Sequence, residues 1–184
     1  MNKASDDAVA ADEAPRSDEA DRTAGDAGSD PSAAPPQDAA FEDGFQPMRL
    51  AARDGDDLKV LSALLQDAVV TSDEMAYLRP QRRFAMVLNR FRWEEPQAQE
   101  RVRAGVHFDG VLSAKVKGFR PGAEKQPLNL LAIEFTPGEI APAGEVRIVF
   151  SGGAEAALSV EALEAAMADM TKPWRAAARP IHRG

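Results

Sequence analysis

The chain has no cysteine, and its 184 residues include only two histidines and one tyrosine. The absence of cysteine excludes disulfides, thiolate zinc sites, iron–sulfur clusters and cysteine nucleophiles. No apolar run approaches the roughly 20 residues that a membrane-spanning helix needs. The N-terminus also lacks the apolar segment behind a basic start that marks a secretory signal. These absences predict a cytoplasmic protein that makes no contact with a membrane.

Negative charge is concentrated at the N-terminal end of the chain. Residues 1–47 hold 12 acidic and 3 basic residues, a net charge of −9, whereas the other 18 acidic and 19 basic residues give +1. The N-terminal segment has few large apolar side chains, so it cannot bury enough surface to offset its ordering entropy. The composition predicts a disordered acidic tail over 1–47, a single globular domain over 48–175 and a loose C-terminal end over 176–184.

The hydrophobic pattern of the predicted domain changes period along the chain. Leucines at helical spacing in "DGDDLKVLSALLQDAVV" predict a helix over about 56–67, with Asp54 or Asp56 capping its first turn. About six strand-like segments follow, separated by breaks rich in proline and glycine, which is typical of an antiparallel meander. Within the meander, "VRIVFSGGAEAALSV" predicts a hairpin that turns near Gly152 and Gly153.

A second helix is predicted near the C-terminus, in "LSVEALEAAMADM". Ser159 is a candidate N-cap, Pro173 prevents continuation, and four apolar residues recur at helical spacing: Val160, Leu163, Met167 and Met170. The predicted fold class is therefore α+β and mostly β, an antiparallel meander with one N-terminal and one C-terminal helix. Either a helix covers the apolar face of an open sheet, or the sheet rolls around the helix as a pleckstrin-homology-like roll.

Two of the strand segments leave alternatives open. In "RRFAMVLNRFRW" the apolar side switches near Asn89, which indicates either a bulge or twist, or a strand end that is covered on both faces. Over 102–117 the apolar residues fall mainly at even positions. This parity favours one long strand bent at Gly110 over a two-residue hairpin turn at Asp109 and Gly110.

Five sequence blocks together resemble a known family. In chain order they are "LLQDAVV", "RRFAMVLNRFRWE", "HFDGVLSAKVKG", "LNLLAIEFTPGE" and "VRIVFSGGAEAALSVEALEAAMADM". They resemble the small bacterial family called domain of unknown function 2948, over about residues 48–175. The resemblance implies a compact bacterial domain, and it carries over no activity, cofactor or site residue.

The sequence offers few residues that could carry out catalysis or bind a metal ion. Nucleophilic catalysis needs a nucleophile beside a positioned base. Of the two histidines, His107 lies on the polar face of a predicted strand and His182 lies close to the C-terminus. Glu94 and Glu95 are adjacent and precede Pro96. We interpret them as residues of a solvated turn rather than as a catalytic acid–base pair. We therefore expect a protein that is not an enzyme and that binds neither metal nor cofactor.

Basic side chains gather on two neighbouring predicted strands and form a candidate anionic-ligand surface. Arginines neutralise phosphates, and aromatic residues such as Phe91 and Trp93 can stack on bases. Interleaved carboxylates and the net charge of +1 outside the tail favour a solvated face instead. The residues of the candidate surface are Arg82, Arg83, Arg90, Arg92, Arg101, Arg103 and His107.

Two functional hypotheses are consistent with these observations. The leading hypothesis is a small non-catalytic bacterial interaction module that contacts another protein through a sheet edge or a covering helix. The alternative is a weak RNA- or DNA-binding module that uses the arginine-rich region 82–103, and it predicts an affinity that falls steeply with salt.

Overall fold

The structure, a computed structural model, describes residues 45–123, 125–177 and 180. The predicted acidic tail lies almost entirely outside these residues, as does most of the predicted loose C-terminal end. The described part of the chain contains ten strands and one α-helix. The strands are β1 (Arg49–Ala52), β2 (Val69–Leu78), β3 (Arg83–Phe91), β4 (Glu100–Phe108), β5 (Val111–Lys117), β6 (Pro127–Pro137), β7 (Gly144–Phe150), β8 (Glu155–Val160), β9 (Ala165–Asp169) and β10 (Trp174–Arg175), and the helix is α1 (Gly55–Leu65).

Helix α1 forms where the leucine spacing predicts it. Asp54 is the N-cap, and its side chain accepts hydrogen bonds from the backbone N–H groups of Asp56 and Asp57 at 3.0 and 2.9 Å. The first-turn carboxylates also suit the positive end of the helix. The apolar stripe is buried, and it consists of Leu58, Leu61 and Leu65. The prediction of this helix is confirmed, with its ends one and two residues earlier than expected.

All ten strands belong to one antiparallel sheet that curls around a single core. The strand order is β1-β9-β4-β3-β2-β6-β7-β8-β5, and β10 pairs with the start of β4. Buried side chains from α1 and from both halves of the sheet form one apolar cluster. At the start of edge strand β5, the N–H of Val111 donates to the carbonyl of Arg82 at 2.8 Å. This bond brings the far edge of the sheet back to the beginning of β3.

The prediction of a C-terminal helix is wrong, because the chain there completes β8 and then forms β9. Leu163, Ala165, Met167 and Asp169 are buried in alternation, which is the period of a strand. Strand β9 pairs with β1 on one side and with β4 on the other. Pairing on both sides outweighs the helix propensity of its alanines. Ten strands and a single helix in the described residues therefore replace the expected six strands and two helices.

Strand β3 is covered on both faces at its end. Its register with β4 runs without a shift from Phe84 to Phe91, so that ladder contains no bulge. Arg90 and Phe91 are both fully buried although neighbouring residues of a strand point to opposite faces. The ring of Trp93 lies 4.7 Å from that of Phe91 on the second face. Of the two alternatives for this segment, the covered strand end is the right one.

The chain bends at Gly110 and does not form a hairpin there. Gly110 has a φ of +66°, and β5 pairs with β8 rather than with β4. The register between β5 and β8 shifts just after Val111, and Leu112 is 51% exposed as a result. The prediction of a bend at Gly110 rather than a hairpin is confirmed, but the single long strand is wrong. The chain forms two strands there, β4 and β5, and Val111 rather than Leu112 takes the buried position after the bend.

Gly144 provides a test of the packing between β6 and β7. A Cβ atom at this position would lie 2.5 Å from the ring of Phe135 and 2.6 Å from the carbonyl oxygen of Thr136. We expect Gly144→Ala to lower the free energy of unfolding by about 1–3 kcal/mol, measured by urea denaturation. The control Gly55→Ala has nothing within 4 Å, and it should leave stability unchanged or raise it by up to about 1 kcal/mol. Similar losses in both variants would contradict the close approach at Gly144.

Candidate binding groove

Carboxylates already neutralise much of the predicted basic surface. Arg83 forms a bidentate pair with Asp109, at 2.6 and 3.2 Å. Further ion pairs join Arg82 to Glu161, Arg92 to Glu100 and Arg103 to Glu74. A paired arginine must share or exchange its partner in order to bind a phosphate. These side chains therefore offer less charge to an anionic ligand than the sequence alone indicates.

Arg101 contacts backbone rather than carboxylates. Its Nη1 donates to the carbonyl of Asn89 at 2.9 Å and to that of Asp67 at 3.3 Å. Burial lowers the pKa of Arg101, and the charge of Asp67 offsets only part of this effect. The guanidinium thus holds the end of β3 against the turn that follows α1.

Arg90 does not belong to any surface, which corrects its place in the predicted ligand site. Its side chain is 0% exposed. Nε and Nη2 each donate at 2.8 Å to the carboxylate of Asp169, and Nη1 and Nη2 each donate at 2.9 Å to that of Glu94. We call Arg90, Asp169 and Glu94 the buried triad, after the buried pair of Arg90 and Asp169; the side chain of Glu94 is 24% exposed. One cation between two carboxylates leaves no guanidinium edge for a ligand.

The buried triad also fixes the start of β1. The second oxygen of Asp169 accepts a hydrogen bond from the backbone N–H of Met48 at 3.1 Å, and the N–H of Asp169 donates to the carbonyl of Met48 at 2.9 Å. Burial on its own would raise the pKa of Glu94, but the hydrogen bonds and charge of Arg90 hold that pKa below its ordinary value. The hydrogen bonds of the triad tie β3, β9 and β1 together.

His107 lies on the polar face of β4, as the sequence predicts, but it is poorly placed for acid–base chemistry. Its Nε2 is 3.5 Å from Oδ2 of Asp109, which is longer than a good hydrogen bond. Asp109 is itself held by Arg83. Burial and the charge of Arg83 lower the pKa of His107, and Asp109 offsets part of this effect. The imidazole is therefore neutral at pH 7.

The sequence analysis did not predict an apolar groove that lies beside the start of α1. It has a volume of about 580 Å³, and it lies between the start of α1, the end of β6, the β6–β7 loop and the corner between β8 and β9. Its apolar walls include Leu58, Ile133, Phe135, Pro142, Ala143 and Leu163. Arg53, Lys59, Asp54 and Glu134 also line it and add charges of both signs. We call this feature the α1 groove.

Local hydrogen bonds hold the walls of the α1 groove in place. The register of β6 with β7 shifts between Leu130 and Ala132, and the nearby N–H of Ile133 donates to Oγ of Ser62 on α1 at 2.8 Å. This bond satisfies a backbone donor and fastens the helix to the strand. In the β6–β7 loop, Gly138 N–H donates to the carbonyl of Ala143 at 2.8 Å. Helix, strand and loop thus form a preformed concave surface.

The described lining of the α1 groove is mainly apolar. Asp54 is committed to capping the helix, and none of the described lining residues is a serine, threonine, cysteine or histidine that could act as a nucleophile beside a base. Among residues 45–123, 125–177 and 180, no group of three or more histidines, cysteines, aspartates or glutamates could hold a metal ion. No helix in the same residues is long and apolar enough to cross a membrane.

The described residues thus define an α+β protein in which a curled antiparallel sheet and one helix frame an apolar groove. The sequence model of the family described as "Protein of unknown function (DUF2948)" matches residues 48–182, and the chain belongs to this family. The resemblance inferred from the five sequence blocks is therefore confirmed. No curated protein and no solved structure matches the chain.

Two arginines of β3 test the structural role of the buried triad. Arg90→Ala leaves the buried carboxylate of Asp169 and the partly exposed carboxylate of Glu94 without their cation, and we expect a loss of about 3–5 kcal/mol in the free energy of unfolding. Arg83→Ala breaks a bidentate pair whose arginine side chain is 25% exposed, and it should cost at most about 1 kcal/mol. Urea denaturation measures both variants. A small and equal loss in the two would contradict the difference in burial.

The lowered pKa of His107 predicts a pH dependence of stability. Below its ordinary pKa of 6.5, the unfolded chain binds a proton that the folded protein resists, so acidification favours unfolding. We expect stability to fall between about pH 7.5 and 5.5, and His107→Gln to flatten this slope. His182→Gln, in the predicted loose end, is the control and should leave the slope unchanged. An unaltered slope in His107→Gln would show that another group is responsible.

Proposed function

We propose that this protein is a small non-catalytic interaction module that binds an apolar side chain of a partner protein in the α1 groove. The observation that carries the proposal is the apolar wall of the groove. On the β6–β7 loop, next to this wall, the side chain of Ile140 is 79% exposed. A large exposed apolar side chain next to a preformed apolar cavity is typical of an interaction surface. The cytoplasmic location stays a prediction from the sequence.

The composition of the groove supports a peptide or protein as the ligand. Interfaces commonly place an apolar anchor in a central pocket and surround it with polar groups. The α1 groove has apolar walls from β6 and the β8–β9 corner, and it has the charged residues Arg53 and Glu134 among its lining. These two side chains can pair with charged side chains of either sign on a peptide, or form hydrogen bonds with its backbone. We expect the ligand to be an extended segment with one large apolar residue.

The alternative of a weak nucleic-acid-binding module has less support. Its candidate arginines contact carboxylates or backbone carbonyls, and Arg90 is inaccessible. A ligand would have to displace those partners before it could neutralise phosphates. The ion pairs therefore favour a structural role for this cluster, and the α1 groove is the better candidate for recognition.

Selection of peptides on the full chain tests the proposal. Peptides chosen from a random library should share one large apolar residue, and their binding should shift the amide resonances of Ile133, Ala143 and Leu163. Ile140→Asp should weaken the selected peptides about tenfold or more, because it places a charge beside the anchor. Leu112→Asp, which alters an exposed leucine outside the groove lining, is the matched control.

Two results would overturn the proposal. One is selected peptides that lack an apolar anchor and shift resonances elsewhere, which would assign recognition to a different surface. The other is an equal loss of affinity in Ile140→Asp and Leu112→Asp, since a general effect of added charge would then explain the result.

A further inference from the structure

One edge of β6 runs along the α1 groove after its pairing with β2 has ended. The ladder between β2 and β6 covers only residues 127–129 of β6. Leu130 then bonds to the turn that follows α1: its N–H donates to the carbonyl of Ala68, and its carbonyl accepts from the N–H of Asp67, both at 2.9 Å. Over residues 133–137, α1 rather than a strand lies beside this edge. We call this stretch the α1-side edge of β6.

The hydrogen bonds between β6 and β7 determine which backbone groups face the α1-side edge. Residues of an antiparallel pair alternate between bonding to the partner strand and pointing away from it. The N–H of Gly138 donates to the carbonyl of Ala143 in continuation of the ladder register, whereas the N–H of Ile133 donates to Oγ of Ser62 on α1. Even-numbered residues over 132–138 therefore bond to β7, and both backbone groups of Phe135 point towards the groove.

The α1-side edge is unpaired at Phe135. Ser62 satisfies the N–H of Ile133, and Pro137 has no N–H. Within residues 45–123, 125–177 and 180, no backbone carbonyl outside the β6–β7 ladder accepts a hydrogen bond from the N–H of Phe135. The ring of Phe135 lies close over Gly144 and lines the α1 groove. An unpaired N–H and carbonyl beside an apolar wall match the backbone and the side chains of an added strand.

We propose that the ligand of the α1 groove binds as an added β-strand that pairs with β6 at Phe135. The N–H and the carbonyl of Phe135 each form a main-chain hydrogen bond with this strand. Since side chains alternate between the two faces of a strand, every second side chain of the ligand points into the apolar wall. This inference rests on the proposed function, and it adds the means by which the partner is recognised.

The groove admits one extended segment of a partner protein rather than the edge of a second folded sheet, because α1 forms its opposite wall. At about 3.3 Å per residue, the α1-side edge is about 13 Å long and pairs with about four or five residues. Arg53 lines the groove just before α1, and its side chain forms no ion pair within the described part of the chain. Its guanidinium donors suit the carbonyl groups on the second edge of the added strand.

Hydrogen exchange of the full chain tests the edge without any ligand. In the free protein, the amide of Phe135 should exchange at least about tenfold faster than the amides of Glu134 and Thr136, which bond to β7. These two neighbours are internal controls, since they belong to the same strand. Equal protection of the three amides would show that the edge is already paired, and it would overturn the inference.

Single N-methylation along a peptide tests the added strand itself. The probe is the tightest selected peptide that shifts the amide resonances of Ile133, Ala143 and Leu163. Methylation of every second residue should weaken binding at least about tenfold, because those amides face β6, whereas methylation of the residues between them should weaken it less than about threefold. Saturation with the unmodified peptide should also slow exchange at Phe135 at least about tenfold.

Two arginine variants test the opposite wall. Arg53→Ala should weaken the same peptide about threefold or more. Arg147→Ala is the matched control, because Arg147 pairs with Glu155 outside the described groove lining, and it should change the affinity less than about twofold. An equal effect of the two variants would contradict the contact with Arg53.

The results also separate this inference from the proposed function. If no selected peptide binds the α1 groove, the proposed function and the added strand are both wrong. If a peptide binds the groove but N-methylation shows no two-residue period and exchange at Phe135 is unchanged, the proposed function stands and the strand pairing is overturned.

Discussion

The buried ion pairs of Arg90 set the arrangement of strands on which the rest of the structure depends. A guanidinium removed from water is unfavourable unless charged partners satisfy its donors. Asp169 and Glu94 provide them, and the first of these lies 79 residues further along the chain. Since Asp169 also exchanges two hydrogen bonds with Met48, one cation determines where β3, β9 and β1 meet. A strand pairing shifted by one residue would leave this charge without partners.

The same pairing explains how the α1 groove is positioned. The ladder between β1 and β9 runs from the buried triad to the pair formed by Ala52 and Ala165. Arg53, which continues from β1, and Leu163, which precedes β9, both line the groove at that far end. The triad and the groove therefore lie at opposite ends of one short ladder. The bond between Ser62 and Ile133 then fixes α1 over the groove.

Much of the fold could be predicted from local patterns, whereas the site could not. The helix α1 and the strands β3 and β4 have strong periodicity, and five sequence blocks identify the family. Strand β9 escaped prediction because its inward positions hold one small residue and one carboxylate beside Met167, and because Leu163, Met167 and Met170 also fit helical spacing. Arg90 lies at the same alternating positions of β3 as the buried Phe84, Met86 and Leu88. That alternation indicated a buried side chain, but the charge of Arg90 led to the prediction that it lies on the surface. The groove combines four separate elements, and only tertiary structure brings those together.

Native-state hydrogen exchange at the backbone amide of Asp169 tests the central claim most directly. This N–H donates to the carbonyl of Met48 at 2.9 Å, so it reports on the junction of β1 and β9 beside Arg90. If the buried triad holds the fold together, the amide exchanges only through global unfolding, and its opening free energy equals that from urea denaturation. An opening free energy several kcal/mol lower would show that β1 and β9 separate while the remaining sheet stays folded, and it would contradict the account.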